Sequence, residues 1–112
     1  MAHPSEEEEW IRARIASWVE TYKKSMLTPV ILRVVAEHQP VTVAGIAAGV
    51  ASGTGWKITE RSLYRTLKRL QDAGLLHGEE VEVPRTGARR KDISLTGPGE
   101  QFLAGIRANL VE

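Results

Sequence analysis

The chain has 112 residues, enough for one domain with a single modest core. Its 42% hydrophobic and 26% charged residues are those of a globular protein, and the absence of cysteine excludes a disulfide framework, a thiolate zinc site and a cysteine nucleophile. The formal net charge of +1 hides an uneven distribution, with Glu6, Glu7, Glu8 and Glu9 at an acidic start and Arg85, Arg89, Arg90 and Lys91 in a run without acids.

No apolar run approaches the ~20 residues needed to span a membrane. The opening MAHPSEEEEW lacks the basic region and apolar core of a signal peptide, so a cytoplasmic location without a membrane partner is expected. Ser5 followed by Glu8 fits a capping box, and the glutamates suit the positive end of a helix dipole. From there to residue 24, Trp10, Ile11, Ile15, Trp18, Val19 and Tyr22 keep helical spacing on one broad face. That face either packs in the core or covers a second copy of the chain; the two readings are compatible.

Thr28-Pro29 carries an N-cap and N1 signature that predicts a second helix to His38, with Leu27, Val30, Ile31, Val34 and Val35 inward and Gln39-Pro40 as its stop. Thr42 caps a third, short helix, in which Val43, Ile46, Ala47 and Val50 face the core and Gly45 and Gly49 allow close approach of a neighbour. Ser52-Gly53-Thr54-Gly55 reads as a loop. Its glycines with Lys57 do not make a phosphate loop, because the lysine does not follow the last glycine directly and no strand precedes it.

The stretch 57–76 predicts the helix that matters most. Thr59 stands at an N-cap position and Gly74 at C′. Leu63, Leu67 and Leu70 form an inward stripe, while Arg61, Arg65, Lys68 and Arg69 project away from it. Alternation in residues 79–83 and 91–95 predicts two strands joined by a turn at 84–90, a hairpin tipped by Arg85, Arg89 and Arg90. Thr96 caps a last helix carrying Phe102, Leu103, Ile106 and Leu110, with Gly97, Pro98 and Gly99 loosening its first turn. The expected fold is mainly α with a small β-hairpin: a winged helix-turn-helix with an additional N-terminal helix and a C-terminal helix. The expected divisions are 1–26 (acidic-capped helix, dimerisation), 27–96 (winged helix-turn-helix, DNA binding) and 97–112 (packing and dimerisation).

No catalytic or metal site is expected. His3, His38 and His77 have no metal-ligand spacing, no Ser/His/Asp grouping occurs, and no cofactor is implied.

The segment Ser62-Leu63-Tyr64-Arg65-Thr66-Leu67-Lys68-Arg69-Leu70, ending Ala73-Gly74-Leu75-Leu76, resembles the recognition helix of PadR-like winged-helix transcriptional regulators. Gly87-Ala88-Arg89-Arg90-Lys91, followed by Leu95-Thr96 and Gly99, is similar to that family's wing strand and its entry into the last helix. The resemblance covers residues 27–107 and departs from the family at three places. Relatives usually carry proline where Arg65 stands, a Gly-Tyr pair where this chain has Val43-Ala44-Gly45-Ile46, and paired tyrosines where it has Asp92 and Ile93. The resemblance is to a divergent, short form. It implies a dimeric repressor pairing through its terminal helices, and short members that bind flat aromatic compounds between tryptophans.

The resulting expectation is a sequence-specific DNA-binding regulator acting as a homodimer on a pseudo-palindromic operator. Reader helix 59–73 enters the major groove and wing 84–91 meets backbone or minor groove. Thr59, Arg61, Ser62, Tyr64 and Arg65 face the groove, with Lys57, Lys68 and Arg69 on phosphates and Arg85, Arg89, Arg90 and Lys91 on the wing. Tyr64, about 100° from the leucine stripe, is open to either the groove or the core. Trp10, Ile11, Ile15, Trp18, Tyr22, Phe102, Ile106 and Leu110 form the expected dimer or ligand interface. The alternatives are a winged helix used for protein–protein contact, favoured by Glu79, Glu80 and Glu82 on the wing, and a regulator responsive to a small aromatic effector at Trp10 and Trp18.

Overall fold

The computed structural model describes residues 5–111. Their order is α1 (Glu6–His38), α2 (Val43–Thr54), α3 (Glu60–Asp72), β1 (Leu76–Glu82), β2 (Arg89–Leu95) and α4 (Gly97–Arg107). The mainly helical winged helix-turn-helix with extensions at both ends is as the sequence predicts, but with one N-terminal helix where two are expected.

Helix α1 runs 33 residues straight through Thr28-Pro29. Ser5 caps it by accepting the Glu8 N–H at 3.1 Å, and four glutamates fill its first turn. Pro29 supplies no N–H for the Ser25 carbonyl, which is the usual reason for a helix to stop. Here Ser25 is exposed, so water can take the orphaned carbonyl, and both flanks are anchored. On the C-terminal side Pro29, Val30, Ile31, Leu32, Val34 and Val35 are buried all round, the pattern of a helix inside a core. On the N-terminal side Tyr22 meets Trp56 edge-on at 6.3 Å. A break at residue 28 would have to displace one of these anchors.

Helix α2 is capped by Thr42, which accepts from the Gly45 N–H at 3.1 Å. It extends through Ser52, Gly53 and Thr54, and only Gly55, at φ 76°, lies beyond its last turn. The loop expected at 52–55 is therefore mostly helix, with Gly53 inside it and only Gly55 outside. Packing explains the length: a Cβ at Gly49 would stand 2.5 Å from Val34 Cγ1, so α2 lies against α1 at a distance only glycine permits.

Helix α3 begins and ends where expected. Thr59 accepts the Ser62 N–H at 3.1 Å. At the other end Gly74 N–H reaches Gln71 O and Leu75 N–H reaches Leu70 O, a Schellman motif with Gly74 at φ 80°. Leu63, Thr66, Leu67 and Leu70 are its buried side.

The hairpin pairs Leu76 with Leu95 through to Glu82 with Arg89. The first strand starts three residues earlier than the alternation at 79–83 indicates, because Leu76 belongs to the core. Arg89 and Arg90 lie in β2, not in the turn, since Val83 N–H closes on Ala88 O at 2.7 Å. Of the three arginines expected at the tip, only Arg85 is there. Val41 adds a bridge to β2 through two backbone hydrogen bonds with Ile93, and Gln39 Oε1 accepts from Leu95 N–H at 2.8 Å. This third edge has no signature in the sequence.

Thr96 caps α4 by accepting the Gly99 N–H at 2.9 Å, while its own hydroxyl donates to Gly74 O. The Gly-Pro-Gly start is thus a well-held first turn. Val35, Ile46, Val50, Leu63, Leu67, Leu76, Ile93 and Leu103 close one core beneath all these elements.

Candidate nucleic-acid interface

Helix α3 presents its polar residues in three strips, spaced at about 100° per residue. Arg61 and Arg65 form the outermost strip, both exposed and in no ion pair among the described residues. Tyr64 and Lys68 lie on one side, next to the hairpin: a groove between α2, α3 and β2 is lined by Val43, Tyr64, Lys68, Asp72 and Lys91. Tyr64 is 53% exposed, so it does not face the core. Ser62 and Arg69 lie on the other side, against α1, where the Arg69 guanidinium donates to Thr28 Oγ1 at 3.2 Å.

The neighbours of these cations differ. Lys68 pairs with Asp72 at 3.0 Å, Arg89 with Glu80 at 3.2 Å and Arg90 with Asp92 at 3.2 Å. The Lys68–Asp72 and Arg89–Glu80 pairs are largely exposed and worth about 0–1 kcal/mol each, so an incoming phosphate can displace the acid at small cost, whereas the Asp92 side chain opposite Arg90 is mostly covered. Still, over residues 79–92 the four bases Arg85, Arg89, Arg90 and Lys91 face the four acids Glu79, Glu80, Glu82 and Asp92, and the hairpin carries no formal net charge. Arg85 stands at the turn with φ 79°.

Thr59 and Ser62 lie at the mouth of a cleft between α1 and the α2–α3 connection, lined also by Glu20, Lys23, Lys24, Leu27, Trp56, Lys57 and Ile58. Trp56 has no place among the expected residues. Its signal was only that of an apolar residue in a polar connection, next to Lys57.

Among the described residues the aromatic face of α1 is covered only at Tyr22, which meets Trp56 edge-on, and is otherwise open. Trp10 is 57% and Trp18 67% exposed, with Ile11, Ile15 and Tyr22 exposed beside them. Trp18 stacks on Tyr22 at 5.5 Å, and the Arg14 guanidinium sits 4.6 Å from the centroid of the Trp10 ring. Eight residues of helix separate the backbone positions of Trp10 and Trp18 by about 12 Å along the axis. A flat ring held on both faces needs partners about 7 Å apart at van der Waals contact, so Trp10 and Trp18 of one chain do not themselves form a sandwich. Phe102 and Leu110 are exposed at the other end of the chain, and Ile106 is half-buried.

Among the described residues no three His, Asp or Glu side chains group as metal ligands, and no helix is long and apolar enough to cross a membrane. His38 and His77 are exposed on α1 and β1; His3 lies outside the described residues.

A short helix, a turn, a longer basic helix and a hairpin on one core define a winged-helix protein of the nucleic-acid-binding type. The sequence pattern of the transcriptional regulator PadR-like family matches residues 31–105, and the chain belongs to that family. No curated protein matches it. Among solved structures, a PadR-like transcription factor from Bacteroides fragilis is 30% identical, with a TM-score of 0.68 over 82% of this chain and 86% of that one. A PadR family regulator from Eggerthella lenta superposes at a TM-score of 0.75 with 23% identity, covering 89% of this chain and 85% of the other. Bacillus subtilis PadR, solved in complex with operator DNA, is 21% identical with a TM-score of 0.67, over 78% of this chain and 50% of that one.

Proposed function

We propose that this chain is a sequence-specific DNA-binding transcriptional repressor that acts in the cytoplasm as a homodimer. The observation that carries the reading is the outermost strip of α3. Arg61 and Arg65 stand exposed and without an ion-pair partner among the described residues, Tyr64 flanks them, and the leucines opposite fix the helix to the core. Arginine recognises guanine bidentately, at about 1–3 kcal/mol of discrimination per pair. Thr59 and Ser62 hydroxyls, with Lys57, Lys68 and Arg69, serve phosphates, and Arg85, Arg89, Arg90 and Lys91 extend the contact along the wing. The operator complex of the Bacillus subtilis relative supports this use of the fold.

The segment 1–26 and the segment 97–112 serve dimerisation in this reading. The uncovered face Trp10–Ile11–Ile15–Trp18–Tyr22 and the exposed Phe102 and Leu110 support it. Two-fold symmetry then calls for a pseudo-palindromic site with half-sites about one helical turn apart. A small aromatic effector would need indoles from both copies, given the spacing of Trp10 and Trp18.

Fluorescence anisotropy with specific and random duplexes tests the proposal. For roughly six neutralised phosphates per dimer the log–log salt slope is near −5, and a slope near zero on every duplex would end the DNA reading. A second reading, a winged helix for protein contact, is favoured by the exposed Glu79, Glu80 and Glu82 and the electroneutral hairpin. Intact folding with complete indifference to duplexes at low salt would select it.

A further inference from the structure

We propose that α1 carries a second backbone-contact site for DNA, in which Lys23 and Lys24 join Lys57 to bind phosphates on the flank of α3 away from the wing. The inference rests on the DNA-binding reading above and adds residues that the wing and reader helix do not include. Its starting point is the cleft between α1 and the connection ahead of α3. Lys23, Lys24 and Lys57 line it, with Thr59 and Ser62 from the first turn of α3. Glu20 is the one acid lining that cleft, so its charged residues sum to three positive against one negative. None of the three lysines joins any ion pair among the described residues. The wing differs, since Arg89 and Arg90 already face Glu80 and Asp92.

The position is fixed by packing. Trp56, immediately before Lys57, presents its ring to Tyr22 at 6.3 Å and 89°, and Tyr22 immediately precedes Lys23. One aromatic contact thus holds the two basic segments side by side. Arg69 Nη2 to Thr28 Oγ1 is a second tie between α3 and the same helix one turn further on.

The geometry of the duplex supplies the reason for two flanks. A major groove is about 12 Å wide and a helix with side chains is about as thick, so elements on either side of an inserted helix meet the two bordering backbones. On α3 the strip Arg61–Arg65 lies between the Tyr64–Lys68 strip, which borders the wing, and the Ser62–Arg69 strip, which borders α1. Seating the Arg61–Arg65 strip in the groove brings the wing to one phosphate line and the lysine cleft to the other.

The test uses the full-length protein, a specific and a random duplex, and the double variant K23Q/K24Q beside an R61A/R65A control. Both replaced lysines are exposed, and circular dichroism with sedimentation verifies that folding and oligomeric state are retained. The double variant is expected to bind both duplexes roughly tenfold more weakly, with a shallower salt slope and the specific-to-random ratio unchanged. Wild-type affinity and slope in K23Q/K24Q, with R61A/R65A weakened, would overturn the lysine site and leave the DNA reading standing. A reduced slope that appears only together with loss of the dimer would also overturn it. Absence of duplex binding by the wild-type chain would remove both.

Discussion

Arg61 and Arg65 differ from Arg89 and Arg90 in what already neutralises them, and this difference decides how each should respond to substitution. The helix arginines have no acid within ion-pair distance among the described residues, so their hydrogen-bonding capacity is available to a base edge. Arg61→Ala is expected to cost about 1–3 kcal/mol at a specific duplex, roughly 5–150-fold in Kd, and much less at a random one. Equal losses on both would place Arg61 on the backbone instead. The wing pair Arg89–Glu80 makes the opposite prediction. Glu80→Gln removes a carboxylate that competes with phosphate and should tighten binding to all duplexes by about two- to fivefold, in keeping with an exposed pair. Unchanged affinity would show that Arg89 does not meet DNA. The basic run Arg89–Lys91 was legible in the sequence, but its acids were not assigned to it. Only the register that sets Glu82 opposite Arg89 and Glu80 opposite Lys91 shows how fully the hairpin is compensated.

Elements were legible where their signals are local. Thr59, Gly74 and the leucine stripe specify α3 within one short segment, and its cap and Schellman motif form there. They failed where tertiary contacts overrode a local signal. Pro29 reads as a first helical residue, yet the buried run Val30–Val35 and the Tyr22–Trp56 contact keep α1 continuous across it. Ser52 to Gly55 read as a loop, yet α2 runs on to Thr54, packed against α1 where Gly49 meets Val34. The junction of the last helix was likewise hidden. Gly99 packs against the Leu75 carbonyl so closely that a Cβ there would run into the oxygen, whereas a Cβ at Gly97 meets nothing. Gly99→Ala is therefore expected to destabilise the fold by about 1–3 kcal/mol, through a shift of α4 from the start of β1. Gly97→Ala serves as its control with little effect. Thermal unfolding of the two variants measures this, and equal midpoints would contradict the close approach.

At the scale of the whole molecule the shape is more extended than that of a compact domain of this length. The radius of gyration is 18.0 Å and the extents are 65 × 35 × 22 Å. A compact domain of this size has a radius of about 13 Å. The excess comes from the N-terminal part of α1, where residues 6–25 leave the core and all but Val19 are exposed. Helices in proteins draw most of their stability from packing an apolar face, and this segment carries two tryptophans and two isoleucines on its open one. The sequence showed that face but could not tell a core stripe from an interface, because both use the same helical spacing. Its exposure favours the interface, and pairing with a second copy would cover it and fix the distance between two reader helices. Ile15→Glu together with Trp18→Glu should leave the winged-helix core folded, since neither side chain touches it, and shift the protein to monomer in analytical ultracentrifugation. Affinity for a pseudo-palindromic duplex should then fall toward that for a single half-site, because the second half-site no longer binds as an intramolecular event. A variant that remains dimeric with undiminished operator affinity would move the dimer contact away from α1 and toward the apolar residues of the C-terminal end, Phe102, Ile106, Leu110 and Val111.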